Sequence, residues 1–245
     1  MKVSGSNLGE GVELHPDDAS FAVAAAHELK APLALIRQLS IGLEQGIYDA
    51  NDQQRILRQI ILTSERGIRL TSDLTRVTRL EDSLFELGPV NSRQLCEEVA
   101  HELTPLYKAR GREIRVAAGR KQLIAVANRD FLRRILVNFG DNALQYADNN
   151  TPVVIKATST SDGERVRVGV RDYGPAVPSD VWQKIASNLG VAPQVLQNRP
   201  ASSGLGLYIS GQLAGAMEGS IGATKHHDGA TFYVDLFASR QLKLL

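Results

Sequence analysis

The chain has 245 residues, with 28 lysines and arginines against 27 aspartates and glutamates, and a formal net charge of +1. No basic run stands out, and Arg133 and Arg134 are predicted to lie on a solvated helix face, so nothing favours nucleic acid as a partner. Hydrophobic residues make up 43% and charged residues 22%, a composition typical of one large or two modest folded domains.

Cysteine content and hydropathy predict the cellular compartment. The single cysteine, Cys96, excludes an internal disulfide or a cysteine metal site, and we predict that it is a small core residue. No apolar run approaches the roughly 20 residues that span a bilayer. We therefore expect a cytoplasmic chain without direct membrane insertion, either alone or as the cytoplasmic part of a longer protein. Residues 1–17 are predicted to be a linker or lead-in.

Residues 18–83 are predicted to form an antiparallel helical hairpin. Apolar or small residues recur in alternating steps of four and three at Ala22, Ala26, Leu29, Leu33, Ile36, Ser40, Leu43 and Ile47. After a turn marked by Gly46 and Asp49, the same spacing returns at Ile56, Ile60, Thr63, Gly67, Leu70, Leu74 and Val77. Heptad spacing of this kind is typical of helices packed along a bundle seam.

The apolar stripe of the second helix is too broad for one hairpin. Leu57, Ile61 and Ile68 widen it beyond a two-helix seam. Two hairpins paired in a four-helix bundle would cover this surface, so we expect a homodimer.

His27 is predicted to be exposed on the first helix. It directly follows the seam position Ala26, and the helical period turns it about 100° away from the seam. Pro32 lies five residues later, lacks a backbone N–H, and crowds the carbonyl of Glu28. The histidine therefore lies beside a locally weakened turn.

Residues 84–245 alternate strands and helices and predict an α+β domain rather than a parallel doubly wound sheet. A short strand enters a helix at Ser92, and "REIRVAAG" and "KQLIAVAN" are strand candidates joined by a Gly-Arg-Lys turn. A helix from Asn128 to Tyr146 buries a face composed of Leu132, Leu136, Phe139 and Ala143. Hairpins are predicted around residues 161–163 and 228–229, with further helices from residue 179 and from residue 204.

Four short motifs follow one another in a fixed order. They are "HELKAP" from His27, "LVNFGDNALQYA" with Asn138 and Asn142 on one helix face, "VRDYGPAV" leaving a strand, and "SSGLGLYIS" opening a helix. Each motif is weak by itself, but their order, spacing and structural context make the set strong.

The set resembles the sensor histidine kinases of two-component signalling. The first motif resembles the family's phosphoacceptor box, the second its asparagine box, and the last two its glycine boxes, while "GATF" resembles a strand entry that completes the nucleotide pocket. The resemblance spans residues 19–237. It implies a dimerisation and phosphotransfer hairpin followed by a Bergerat-type α/β sandwich that binds ATP and Mg²⁺, and a response regulator receiver domain as partner.

The motif residues suit these roles chemically. An aspartate at a strand end, Asp172, can accept a hydrogen bond from the adenine amino group, and Gly174 lets the backbone approach the ring. Asn142, near Asn138, offers an uncharged oxygen ligand to Mg²⁺. Glycines before a helix present N–H groups to phosphate. The full predicted nucleotide site comprises Asn138, Asn142, Gln145, Tyr146, Asp172, Gly174, Ser203, Gly204, Leu205, Gly206, Leu207 and Thr231.

The catalytic pair is predicted to be His27 and Glu28. Neutral imidazole is a competent nucleophile near pH 7, and Glu28 can orient the ring and take up its proton if favourable rotamers bring these adjacent residues together. Taken alone, His27 would be a surface histidine, and Asp172 would merely end a strand. His101, His226 and His227 are predicted to be surface or core residues without a catalytic role.

The sequence also departs from the family pattern. Ala176 and Ser202 replace glycines, and Gln145 replaces a basic residue that often touches phosphate, so we expect weaker ATP binding or slower turnover. Ala31 stands where a threonine or asparagine positions water in family members with phosphatase activity, which predicts weak phosphatase activity. The leading hypothesis is a homodimeric protein histidine kinase. A scaffold that binds nucleotide poorly and a chaperone-like ATPase are the alternatives.

Overall fold

The helical hairpin forms as the sequence predicts. The structure is a computed structural model that describes residues 16–77, 85–119, 122–146, 151–175, 178–187, 189–190 and 205–239. Helix α1 spans Pro16–Glu44 and continues through Pro32, and α2 spans Ala50–Val77. Gly46 has φ +66° just after α1, and the Asp49 carboxylate accepts a hydrogen bond from the Asp52 N–H at 2.8 Å, so both ends of the turn are defined by local chemistry.

The hairpin leaves much of its apolar surface uncovered. Ala24, Leu39 and Ile56 are buried, with at most 7% of their surface exposed. The predicted seam residues Leu33 and Ile47 are instead about two-thirds exposed, at 64% and 66%. The three residues that widen the stripe are also exposed: Leu57, Ile61 and Ile68. A single hairpin therefore does not bury the stripe.

The rest of the described chain alternates strands and helices. In order these are β1 (Gly88–Asn91), α3 (Ser92–Ala109), β2 (Ile114–Val116), β3 (Ile124–Ala127), α4 (Arg129–Tyr146), β4 (Val153–Ser159), β5 (Arg165–Arg171), α5 (Ser179–Ser187), α6 (Leu205–Ala216), β6 (Ser220–His226) and β7 (Gly229–Phe237). Five strands form a sheet in the order β2-β4-β5-β7-β6, and β1 pairs with β3 in a small second sheet. Only the β2–β4 pair of the large sheet is parallel among these strands, which confirms the α+β prediction.

The two strands joined by the Gly-Arg-Lys turn do not pair with each other. Strand β2 pairs in parallel with β4, with Ile114 opposite Val153, whereas β3 pairs antiparallel to β1, with Ala127 opposite Gly88. Ala125 and Ala127 of β3 are buried. Each strand has at most four residues, so its partner is decided by distant chain segments and not by the adjoining turn.

Helices α3, α4 and α6 pack into one apolar core with the large sheet. The predicted face of α4 is buried as expected: Leu132, Leu136, Phe139 and Ala143 are each at most 3% exposed. Cys96 on α3 is fully buried, and burial raises the pKa of its thiol to about 12. Within the described ranges, no helix combines the length and apolar character that crossing a bilayer requires.

A buried ion pair joins the hairpin to the α+β part. Asp73 of α2 contacts the Arg134 guanidinium of α4, and their side chains are only 8% and 12% exposed. The prediction of a solvated Arg134 is therefore wrong, because α2 covers this part of α4. Arg133 faces outward and pairs with Glu102 at 2.7 Å, its side chain 40% exposed.

Removing one partner of the buried pair should destabilise the protein strongly. We expect Asp73→Asn to lower the free energy of unfolding by about 3 kcal/mol, because it leaves the Arg134 charge buried without a carboxylate. The control is Glu98→Gln, which removes the partner of Arg129 in a pair with 51% and 38% exposed side chains and should cost less than about 1 kcal/mol. Chemical denaturation measures both, and equal effects of the two substitutions would contradict the buried role of Asp73.

Candidate functional site

Asp172 is fixed by two backbone groups of Ala230. It follows β5 directly and is 5% exposed. Its N–H donates to the Ala230 carbonyl at 3.0 Å, and its Oδ1 accepts from the Ala230 N–H at 3.1 Å. Gly174 then donates its N–H to the Asp228 carbonyl at 3.1 Å. The Asp-x-Gly segment is thus held against the turn between β6 and β7.

This turn requires a glycine where it meets Asp172. Gly229 has φ +124°, which side chains rarely allow. A Cβ atom here would lie 2.5 Å from the Asp172 carbonyl oxygen and 2.6 Å from its Oδ1. The close approach that fixes the Asp172 carboxylate therefore depends on a missing side chain.

Thr231 lies on the adjoining strand, opposite Arg171 of β5. Its hydroxyl is 2.9 Å from Nε2 of His226, and burial, followed by the charge of Arg171, lowers the pKa of that imidazole. Sequence analysis assigned His226 no role. The predicted hairpin around residues 228–229 was the signal that could have placed it near Thr231.

The asparagine and second glycine motifs meet between α4 and α6. The Asn138 amide donates to the Gly206 carbonyl and to the Ser210 hydroxyl, each at 3.4 Å. The Ser210 hydroxyl donates to the same carbonyl at 2.8 Å. Sequence reasoning missed Ser210, although it lies one turn after Gly206 on the same helix. Asn142 follows one turn after Asn138 and is half-buried.

Several predicted residues are placed only in part. Leu205 begins α6 and is buried, while Gly206 and Leu207 are half-buried. Gln145 and Tyr146 form the end of α4, and only their backbone is described. Ser203, Gly204, Ala176 and Ser202 lie outside the described residues.

His27 is exposed on α1 as predicted, and Glu28 beside it is half-buried. The predicted seam position Ala26 is exposed too, because α1 buries Ala24 and Ala25 instead. Glu28, Ala31 and Pro32 line a cleft of about 840 Å³ between the hairpin and helices α3 and α4. Four arginines also line this cleft: Arg55, Arg58, Arg66 and Arg110.

The cleft has more basic than acidic side chains in its wall. Only Glu28 and Asp141 are acidic among its lining residues. Burial raises the pKa of Asp141, although the charges of Arg66 and Arg69 oppose that shift. Burial and the charge of Arg66 lower the pKa of the Arg110 guanidinium, as expected where cations gather.

The family model and the curated relatives that this chain matches all describe histidine kinases or related ATPases. Residues 127–240 match the family described as "Histidine kinase-, DNA gyrase B-, and HSP90-like ATPase". The chain is 27% identical to sensor histidine kinase AruS of Pseudomonas aeruginosa, covering 88% of this chain and 22% of AruS. It is 26% identical to histidine protein kinase SaeS of Staphylococcus epidermidis, covering 80% of this chain and 56% of SaeS. The chain thus spans between about a fifth and somewhat more than half of these relatives.

Solved structures share the fold. Histidine kinase AdeS of Acinetobacter baumannii superposes with a TM-score of 0.60 at 16% identity, covering 87% of this chain and 98% of AdeS. Full-length ShkA, solved in complex with AMPPNP, gives a TM-score of 0.57 at 25% identity, covering 91% of this chain and 44% of ShkA. Together with the curated relatives, these likenesses lead to one conclusion: residues 127–240 match the histidine kinase-, DNA gyrase B- and HSP90-like ATPases, and the chain is similar over most of its length to sensor histidine kinases of two-component systems.

Proposed function

We propose that this protein is an ATP-dependent histidine kinase that phosphorylates its own His27 and passes the phosphoryl group to an aspartate of a response regulator receiver domain. The observation that carries the proposal is an exposed imidazole on the hairpin, in the same chain as an ATPase-family domain whose Asp172 is rigidly placed. A chaperone-like ATPase has no need for such a histidine on a paired helical hairpin.

Asp172 is the residue we assign to adenine. Its carboxylate lies at the end of β5, and Gly229 leaves room for the backbone approach that holds it. A carboxylate accepts hydrogen bonds and so suits the adenine amino group. Gly174, without a side chain, allows the base to lie close to the backbone.

We place the phosphates of ATP between α4 and the start of α6. Asn138 joins the two helices through the carbonyl of Gly206, the second residue of α6, and Asn142 lies one turn after Asn138 on α4. N–H groups at a helix start favour phosphate oxygens. The amide oxygen of Asn142 suits Mg²⁺, which prefers oxygen ligands and would be held there together with phosphate oxygens and water. When bound, Mg²⁺ would neutralise phosphate charge.

His27 is the proposed nucleophile. A ring nitrogen of His27 attacks the γ-phosphorus of ATP, a nitrogen–phosphorus bond forms, and the bond to the β-γ bridging oxygen breaks to release ADP. Glu28 takes up the proton that the ring loses. Ala31 is exposed and has no group to position water, so weak phosphatase activity remains part of the proposal.

The partners follow from two surfaces of the hairpin. The exposed stripe of Leu57, Ile61 and Ile68 supports a homodimer in which two hairpins form a four-helix bundle. The arginines of the cleft that Glu28 lines, including Arg58 and Arg66, are suited to the acidic surface around an acceptor aspartate.

Substituting His27 tests the phosphoacceptor. His27→Gln should abolish acid-labile labelling from γ-labelled ATP and leave nucleotide affinity unchanged, because the side chain is exposed on the hairpin. His101→Gln, at another exposed histidine, should keep full labelling. Persistent labelling of the His27→Gln variant would refute the assignment, and a wild-type protein that binds no ATP would favour the scaffold hypothesis.

Substituting Gly229 tests the nucleotide pocket. Gly229→Ala should weaken binding of a non-hydrolysable ATP analogue by about tenfold or more, because the new Cβ displaces the Asp172 carboxylate. Gly163→Ala is the control, since Gly163 also has positive φ, at +70°, but nothing lies within 4 Å of its Cβ position. That variant should lose some stability without losing affinity. Calorimetric titration measures both, and unchanged affinity in folded Gly229→Ala would count against the pocket.

Charge on the exposed stripe tests the dimer. The wild type should have about twice the 26.6 kDa chain mass by light scattering, and Ile61→Glu with Ile68→Glu should give a monomer that remains folded. The control variant is Leu87→Glu, because Leu87 is also apolar and exposed but lies outside the hairpin. This variant should remain a dimer. A monomeric wild type would contradict the four-helix bundle.

A further inference from the structure

Arg171 has a position that neither the motif analysis nor the family assignment explains. It ends β5, immediately before Asp172, and its side chain is only 15% exposed. Its guanidinium contacts the Asp172 carbonyl and the Asp228 carboxylate, and its Cζ lies 4.3 Å from the centre of the Tyr173 ring. One side chain thus contacts both chain segments beside the proposed adenine site.

The guanidinium supplies a second donor to two carbonyls that already join these segments. The Ala230 carbonyl accepts from the Asp172 N–H at 3.0 Å and from Arg171 Nη1 at 3.4 Å. The Asp228 carbonyl accepts from the Gly174 N–H at 3.1 Å and from the same Nη1 at 3.5 Å. Arg171 therefore reinforces both backbone links that hold the Asp-x-Gly segment against the turn.

These links control where the Asp172 carboxylate lies, because its Oδ1 accepts from the Ala230 N–H. The position of this carboxylate matters for base selection. Adenine presents an amino donor where guanine presents a carbonyl oxygen, so a fixed carboxylate pairs with one base and repels the other. A carboxylate that can shift loses part of this discrimination.

We propose that Arg171 is a positioning residue that holds Asp172 where it discriminates adenine from guanine. This inference rests on the proposed assignment of Asp172 to the adenine amino group. Arg171 itself does not touch the base, and its effect passes through the carbonyls of residues 172, 228 and 230.

The same strand provides a matched control for a merely structural role. Arg167 lies four residues earlier on β5, makes two hydrogen bonds to Asp235 at 2.8 and 2.7 Å, and lies over the Tyr233 ring at 3.6 Å. It therefore has the same kinds of partner as Arg171, an aspartate and a tyrosine ring. It lies opposite Asp235 of β7, at a distance of several residues along the strands from Asp172 and Ala230.

The test compares the affinities of AMPPNP and GMPPNP for the full chain by calorimetric titration. Arg171→Gln should weaken AMPPNP binding about tenfold and GMPPNP binding much less, so that the affinity ratio falls about tenfold. Arg171→Lys should recover part of the ratio, because the ammonium donates to carbonyls but lacks the fixed fork. Arg167→Gln should leave the ratio unchanged. Circular dichroism checks folding, and Arg171→Lys carries the test if Arg171→Gln does not fold.

The outcomes separate this inference from the proposed function. A wild type that binds neither analogue contradicts the nucleotide site itself. A wild-type preference for AMPPNP that persists in folded Arg171→Gln and Arg171→Lys contradicts only the role of Arg171. An equal fall of the ratio in Arg167→Gln would also overturn it, because general weakening of β5 would then explain the effect.

Discussion

The two hydrogen bonds between Asp172 and Ala230 are the constraint on which the candidate site depends. They extend the β5–β7 pairing one residue beyond the strand, and one of them ends on the carboxylate itself. A buried carboxylate is stable only when its hydrogen bonds are satisfied, so the strand register also fixes the position of the Asp172 carboxylate oxygen. Gly229 makes this possible because no Cβ separates the two segments.

Helix α4 connects this site to the rest of the molecule. One face packs into the core through residues such as Leu136 and Phe139. A second face carries Asn138, which hydrogen-bonds α6, and Arg134, which pairs with Asp73 of the hairpin. The helix proposed to bind nucleotide is thus in direct contact with the element that displays the proposed phosphoacceptor. Movement of one part relative to the other must therefore break or rearrange a buried ion pair.

Local periodicity predicted much of this architecture. The heptad spacing gave two helices, and the three-to-four residue spacing of α4 identified its buried face, because both signals arise within one element. His27 is exposed as predicted, but the predicted seam position Ala26 beside it is also exposed, and Ala24 and Ala25 are buried instead. Local spacing could not predict which distant segments pair with each other. Strands β2 and β3 join different sheets, and Arg134 is buried against Asp73, which lies 61 residues earlier in the chain.

The sequence by itself determined the helical hairpin, the α+β character, the order of the four motifs and the exposure of one histidine. Each of these depends on residue type and short-range spacing. Only the tertiary structure decided which groups meet: Asn138 with Gly206, Asp73 with Arg134, and Arg171 with the carbonyls around Asp172. Such contacts depend on how whole elements pack, and a one-residue change in strand register would remove them without altering any local pattern.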